Sequence, residues 1–269
     1  MTSADTSTFQ LPAQLQGVDP SELVLLLDCD GVLAPIVDDP AAAAVPESTL
    51  ELVRRAVQRC ALTGIVTGRG LAKARELVPV PEAWFATLHG VEITAPGADT
   101  DVDPISAGSR EHVEVAATLA QTVGWAYEDK GGTVTIHFRQ RGNLGQHVDP
   151  AHVKAQLQTV LNPLKVEIHD AKQVLEIKPK GVRTKGDAVR ILTERAPAAA
   201  KVVVYVGDDL TDLDAFRSMD ALREAGSATT FVKIAVGGVE LPRLLGEAAD
   251  VVLAEQHEVE ALLRSLLSA

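Results

Sequence analysis

The chain has 269 residues, 46% of them hydrophobic and 23% charged, which is enough apolar material for a full globular core and excludes wholesale disorder. A net charge of −12 with no basic stripe argues against a nucleic-acid partner, while leaving room for a small anionic ligand held by a few local cations. Cys29 and Cys60 are too few for a disulfide framework or a zinc knuckle and are read as packing residues. The segment Met1 to Gln10 has neither a basic start nor an apolar stretch. No apolar run approaches the roughly 20 residues that span a bilayer. A cytoplasmic location with no membrane partner is therefore expected.

Taken in order, short apolar runs at Leu23–Leu27, Leu62–Val66 and Phe85–Leu88 predict strands, and Leu50–Arg59 carries the three-and-four spacing of a helix. The pattern resumes late in the chain with a helix at Lys185–Glu194, strands at Val202–Val206, Phe231–Val236 and Val251–Leu253, and a helix at Glu258–Leu267. Uninterrupted apolar strands of this kind belong to a parallel sheet covered on both faces, so the outer thirds predict an open, doubly wound α/β core.

The middle third reads differently. Helices near Glu111–Val123 and Ala151–Leu161 are interleaved with alternating runs at Thr133–Arg139, Lys165–Ile168 and Gln173–Lys178. Alternation implies a sheet with one face buried and one free. The expected organisation is a core of residues 1–107 and 180–269 interrupted by an α+β module over 108–179, with crossings near Gly108 and Pro179.

In an open α/β sheet, ligands gather outside the carboxyl ends of the strands. Three ends are chemically loaded: Asp28-Cys29-Asp30-Gly31, Thr67-Gly68-Arg69 and Gly207-Asp208-Asp209-Leu210-Thr211-Asp212. A helix start at Thr184-Lys185-Gly186 makes a fourth. Carboxylates crowded at one strand end repel unless a cation lies among them, and oxygen-only ligation selects a hard cation, here Mg²⁺. Asp28 then attacks phosphorus to form an aspartyl-phosphate, and Asp30 protonates the leaving alkoxide and later deprotonates water. Asp208 completes the metal site beside Asp28 and Asp30, with Asp209 included in the metal set and Asp212 orienting ligands. Thr67 and Lys185 cradle the phosphoryl oxygens. Each segment alone reads equally well as a strand-end turn or a helix cap; four together, in this order, point to chemistry.

This order of motifs resembles the haloacid dehalogenase superfamily and, within it, the trehalose-6-phosphate phosphatases. The matching stretches are Asp28-Cys29-Asp30-Gly31-Val32-Leu33-Ala34-Pro35-Ile36, Thr67-Gly68-Arg69, His89-Gly90, Glu128-Asp129-Lys130, His137-Phe138-Arg139, Glu176-Ile177-Lys178-Pro179, Lys185-Gly186 and Gly207 to Phe216. The resemblance implies a doubly wound, HAD-like (Rossmannoid) core with an inserted α+β cap domain, and hydrolysis of trehalose 6-phosphate to trehalose and phosphate. It also implies Asp28 as nucleophile, Asp30 as acid and base, and Glu128, Lys130 and Glu176 as the groups that grip sugar hydroxyls. Arg69 is grouped with them as a substrate contact. His137 and Arg139 share the polar face of their strand and either meet substrate or stay solvated.

The chain departs from the family pattern at Val32, Thr184, Leu213 and Lys178, where Thr, Asp or Asn, Glu and Arg are usual. Loss of a hydroxyl at Val32 predicts slower turnover or an altered substrate. His89 reads as a loop-shaping residue, His112, His147, His152, His169 and His257 show no ligand spacing, and Trp84 and Trp125 read as packing residues, with sugar stacking left open for Trp125 by its nearness to Glu128. Three other functions remain open at this level: a phosphatase of the same architecture acting on another sugar phosphate, a non-catalytic sugar-phosphate-binding subunit, and a phosphomutase. The oligomeric state is not legible.

Overall fold

The computed structural model describes residues 10–37, 42–130, 132–138, 149–171, 174–238 and 241–268. It divides into two compact units, one formed by the chain up to Thr100 together with Thr184 onward, the other by Asp101–Arg183.

The first unit is built on strands β1 (Leu23–Leu27), β2 (Leu62–Val66), β3 (Trp84–Thr87) and β4 (Glu92–Thr94), with β5 (Thr100–Val102) leading out of it. Helices α1 (Glu47–Arg59) and α2 (Leu71–Leu77) follow β1 and β2. The second segment of this unit supplies α5 (Lys185–Arg195), β10 (Val202–Gly207), α6 (Asp212–Glu224), β11 (Thr230–Val236), α7 (Arg243–Ala248), β12 (Val251–Leu253) and α8 (Glu258–Leu266). The strand order is β12-β11-β10-β1-β2-β3-β4-β5, parallel from β12 to β3 and antiparallel between β3 and β4.

Every residue of β1, β2 and β10 is buried, and alternate side chains feed two separate cores. Leu23, Leu25 and Leu27 join Val204 and Val206 with α1 and α8 on one face. Val24 and Leu26 join Val203, Tyr205 and Phe216 with α5 and α6 on the other. That two-sided burial is why these strands lack polar alternation, and it fixes the doubly wound class. The described cysteines sit in this packing: burial pushes both thiols up, Cys60 to about 11, and neither is bonded to the other.

The second unit contains α3 (Pro104–Val123), β6 (Tyr127–Asp129), β7 (Val134–His137), α4 (Pro150–Val160), β8 (Val166–Ala171) and β9 (Val174–Pro179). Its antiparallel sheet has the order β6-β7-β9-β8. Val134, Ile136, Leu175 and Ile177 face a core shared with Val113, Ala116, Ala120, Val153 and Leu157, and Trp125 is buried there as a packing residue. Arg183 ties the ends of the segment together through Asp101 at 3.5 Å and Asp103 at 3.6 Å.

The division falls at Asp101 and Arg183, whereas the sequence suggested crossings near Gly108 and Pro179. Gly108 lies inside α3, which begins at Pro104 because the Asp103 carboxylate accepts from the Ile105 and Ser106 amides. Pro179 ends β9. The strand expected at Phe85–Leu88 stops at Thr87, because Leu88 and His89 both take positive φ, 50° and 59°.

Candidate active site

The carboxyl ends of β1, β2 and β10 and the N-terminus of α5 carry the four motifs. β1 hands over to Asp28, whose amide extends the ladder by donating to Val206 O at 3.0 Å. The following turn is tight: Leu33 and Ala34 amides donate to Cys29 O, and Gly31 N donates to Ala34 O at 2.8 Å. Gly31 has φ 76°, and a Cβ there would lie 2.1 Å from Asp208 Oδ2. Only glycine lets the β1 loop come this close to Asp208.

β2 delivers Thr67, buried, whose hydroxyl accepts from the Arg69 amide at 3.2 Å. Arg69 grips both oxygens of Asp30, Nε at 2.8 Å and Nη2 at 2.6 Å. This loop is braced from behind by the Leu88–Gly90 turn: Leu88 N donates to Arg69 O, His89 N to Thr67 O, and the imidazole lies against Gly68. On its other side, Gly90 meets the Thr184 carbonyl so closely that a Cβ would stand 2.3 Å from it. His89 thus shapes the loop, and two left-handed non-glycine residues are tolerated because bonds on both sides over-determine them.

Lys185 occupies the first position of α5. Thr184 caps the helix, accepting from Gly186 N and Asp187 N while Asp187 accepts from Thr184 N at 3.0 Å. The departure from Asp or Asn at this position therefore keeps the capping function. Lys185 is 2% exposed and donates to Asp28 Oδ2 at 2.6 Å and to Asp212 Oδ1 at 2.7 Å. After β10, the amides of Asp208 and Asp209 donate to Asp212 Oδ2 at 3.0 and 2.9 Å, and the Tyr205 hydroxyl donates to Asp212 Oδ1 at 2.6 Å.

Asp28, Asp208 and Asp212 bring carboxylate oxygens within 4.8 Å of one another. Burial pushes Asp28 up to about 7, opposed by Lys185 and reinforced by Asp212. Burial, with Asp28 and Asp212, pushes Asp208 up to about 8. Lys185 is driven upward in spite of its burial, by Asp212 and Asp28, and so stays charged. Three carboxylates facing one ammonium leave unbalanced negative charge. An oxygen-only donor set with that excess fits a hard divalent cation.

Of the residues singled out from sequence, Asp28, Lys185 and Asp208 converge here, together with Asp212. The Asp30 carboxylate turns to Arg69, and Asp209 accepts from the Leu210 amide at 2.7 Å, so both lie beside the cluster. In the second unit, Glu128 pairs with Thr135, Thr135 with Glu176, and Glu176 with His169, one row across four strands. His137 and Lys178 share that face by alternation, opposite the buried Ile136 and Ile177. The Lys130 amide, just after β6, donates to Thr133 O at 3.0 Å. Arg139 lies outside the described residues. Tyr205 was missed as a site residue because it sits in an apolar strand; its hydroxyl, buried with the strand, is the signal that an acceptor must lie nearby.

A parallel α/β core with an aspartate after its first strand, a buried lysine and a further aspartate cluster has the organisation that the sequence resemblance to the haloacid dehalogenase superfamily implies. The trehalose-phosphatase family model matches residues 26–240, and the chain belongs to that family. A trehalose-phosphate phosphatase of Mycobacterium bovis is 30% identical over 230 residues, covering 80% of this chain and 57% of the relative. Trehalose-phosphate phosphatase B of Arabidopsis thaliana is 30% identical over 221 residues, covering 76% of this chain and 57% of its own length. The structure of Aspergillus fumigatus trehalose-6-phosphate phosphatase superposes with a TM-score of 0.61 at 27% identity, covering 92% of this chain and 93% of that one. The chain spans a little over half the length of the curated relatives it matches.

Proposed function

We propose that the protein hydrolyses trehalose 6-phosphate to trehalose and phosphate through an aspartyl-phosphate on Asp28, with magnesium as cofactor. The observation that carries this is the engagement of buried Asp28 by Lys185 Nζ at 2.6 Å beside Asp208, in a chain of the trehalose-phosphatase family.

Asp28 Oδ1 accepts from the Cys29 amide at 2.7 Å and Oδ2 from Lys185, so its carboxylate is locked in one orientation. A fixed nucleophile removes much of the orientational cost of attack. Lys185 and the Thr67 hydroxyl supply positive charge and a donor for the phosphoryl oxygens. Asp30 donates the proton to the departing sugar oxygen. Both its oxygens are engaged by Arg69, so donation requires Arg69 to exchange partners, and the incoming phosphoryl oxygens are anions it can exchange for. In the second step Asp30 takes a proton from the water that attacks phosphorus, releasing phosphate and restoring Asp28. Magnesium, held by Asp28 and Asp208, would neutralise charge on the transferring group.

The inserted unit serves as the cap domain in this reading. Glu128, Lys130 and Glu176, with Arg69, His137 and Arg139, bind the substrate, because ring hydroxyls both donate to carboxylates and accept from cations. No helix among the described residues is long and apolar enough to cross a membrane; a cytoplasmic location belongs to the same reading.

The test is phosphate release with magnesium from trehalose 6-phosphate, glucose 6-phosphate and sucrose 6-phosphate, for the wild type and Asp28→Asn. Preference for trehalose 6-phosphate, abolished by the substitution, is expected. Preference for another sugar phosphate overturns the substrate and spares the chemistry; release that survives Asp28→Asn overturns the chemistry.

A further inference from the structure

Asp212 accepts four hydrogen bonds, from Lys185 and Tyr205 on Oδ1 and from the Asp208 and Asp209 amides on Oδ2. An ionised carboxylate offers about four lone-pair sites. Asp212 therefore has no acceptor site left for a cation, although its oxygens lie within 4.8 Å of those of Asp28 and Asp208. Three of the four donors are built into the fold of the site, two as backbone amides and one as Lys185. The fourth is a side chain that any apolar residue of similar size would replace in the core: Tyr205, 0% exposed, on the strand beside β1 and packed edge-on against Phe216 at 6.1 Å.

We propose that Tyr205 is a positioning residue that sets the cation preference of this site. By filling the last acceptor site of Asp212, it leaves two carboxylates of the three-aspartate cluster, Asp28 and Asp208, free to ligate a metal. This rests on the reading of Asp28 and Asp208 as the cation-binding pair. Magnesium is commonly bound through one or two carboxylates with water and phosphate completing its shell, whereas calcium takes six to eight oxygens and binds more tightly as carboxylates are added. A hydroxyl on Asp212 thus works against calcium without touching a metal.

The experiment is calorimetric titration of metal-stripped protein with Mg²⁺ and with Ca²⁺, in the absence of substrate, for the wild type, Tyr205→Phe and Tyr205→Phe/Asp212→Asn. Tyr205→Phe keeps the ring against Phe216 and frees one oxygen site on Asp212. The ratio of Ca²⁺ to Mg²⁺ affinity is expected to rise roughly tenfold in Tyr205→Phe, and to fall back when Asp212 no longer carries a charge. A loss of order alone would weaken both ions together and leave the ratio unmoved. An unchanged ratio in Tyr205→Phe, or a gain that persists with Asp212→Asn, overturns the proposal while magnesium binding by the wild type stands. A wild type that binds neither ion overturns the magnesium reading and this inference with it. Tyr205→Met, also without a hydroxyl, gives the same comparison if the phenylalanine variant does not fold.

Discussion

Lys185 Nζ stands between two carboxylates, 2.6 Å from Asp28 Oδ2 and 2.7 Å from Asp212 Oδ1, so a single buried ammonium joins the end of β1 to the start of α6. Lys185 is thereby a structural tie as well as a phosphate-binding group. Lys185→Ala leaves Asp28 and Asp212 buried without their counter-charge. It is expected to abolish turnover and to lower stability by about 3–5 kcal/mol in urea unfolding at neutral pH. A variant as stable as the wild type contradicts the tie.

The same cluster makes stability depend on pH and on metal. Asp28 and Asp208 are raised from 3.8 to about 7 and about 8, so their protonated forms are favoured in the folded state. A carboxyl group raised on folding contributes stability that is present at low pH and lost as pH rises through the folded value. Metal-free protein is expected to lose melting temperature as pH rises from about 4, the unfolded carboxylate range, to about 8, and little more above that. Magnesium opposes that loss, so the shift in Tm that it produces should widen over the same interval. A magnesium shift independent of pH contradicts the cluster as the binding site.

Asp30 is held by Arg69 through both oxygens, which suits an acid and base that acts only after Arg69 moves. Asp30→Asn is expected to reduce kcat on a sugar phosphate by roughly 10²–10⁴-fold. With p-nitrophenyl phosphate, whose leaving group needs no proton, the first step should be far less affected. Equal losses on both substrates, measured as single-turnover release of the leaving group, contradict the acid role.

Glu128 and Glu176 lie in one cross-strand row of the inserted unit through Thr135. Glu128→Gln and Glu176→Gln are expected to raise KM for trehalose 6-phosphate by about tenfold or more, the scale of losing a buried charged hydrogen bond, and to leave p-nitrophenyl phosphate hydrolysis unchanged. Equal effects on both substrates would assign these residues to folding.

The parallel core was legible because its strands are apolar on both faces and end in chemically loaded residues. Leu23–Leu27 running into Asp28 and Val202–Val206 running into Gly207-Asp208 needed nothing beyond local pattern. The start of α3 was missed because the cap, Asp103 before Pro104, precedes the periodic apolar residues by a full turn or more. Spacing alone could not tell what Asp212 does: four residues after Asp208, it reads equally as a ligand or as a loop anchor, and only the four donors around it decide. The turn at Leu88 and His89 was also hidden, since non-glycine residues enter the left-handed region only when tertiary bonds hold them there. Conversely, Thr184 looked like a departure and proves to cap α5 as Asp or Asn would.

The claim on which the rest depends is that Asp28 carries the phosphoryl group, and the direct measurement is chemical trapping. Protein quenched during turnover of trehalose 6-phosphate and reduced with borohydride is digested and analysed by mass spectrometry. Homoserine, the product of reducing an aspartyl-phosphate, is expected at position 28, with none in protein quenched without substrate. Substrate-dependent reduction at another carboxylate, with residue 28 unmodified during active turnover, would contradict the claim.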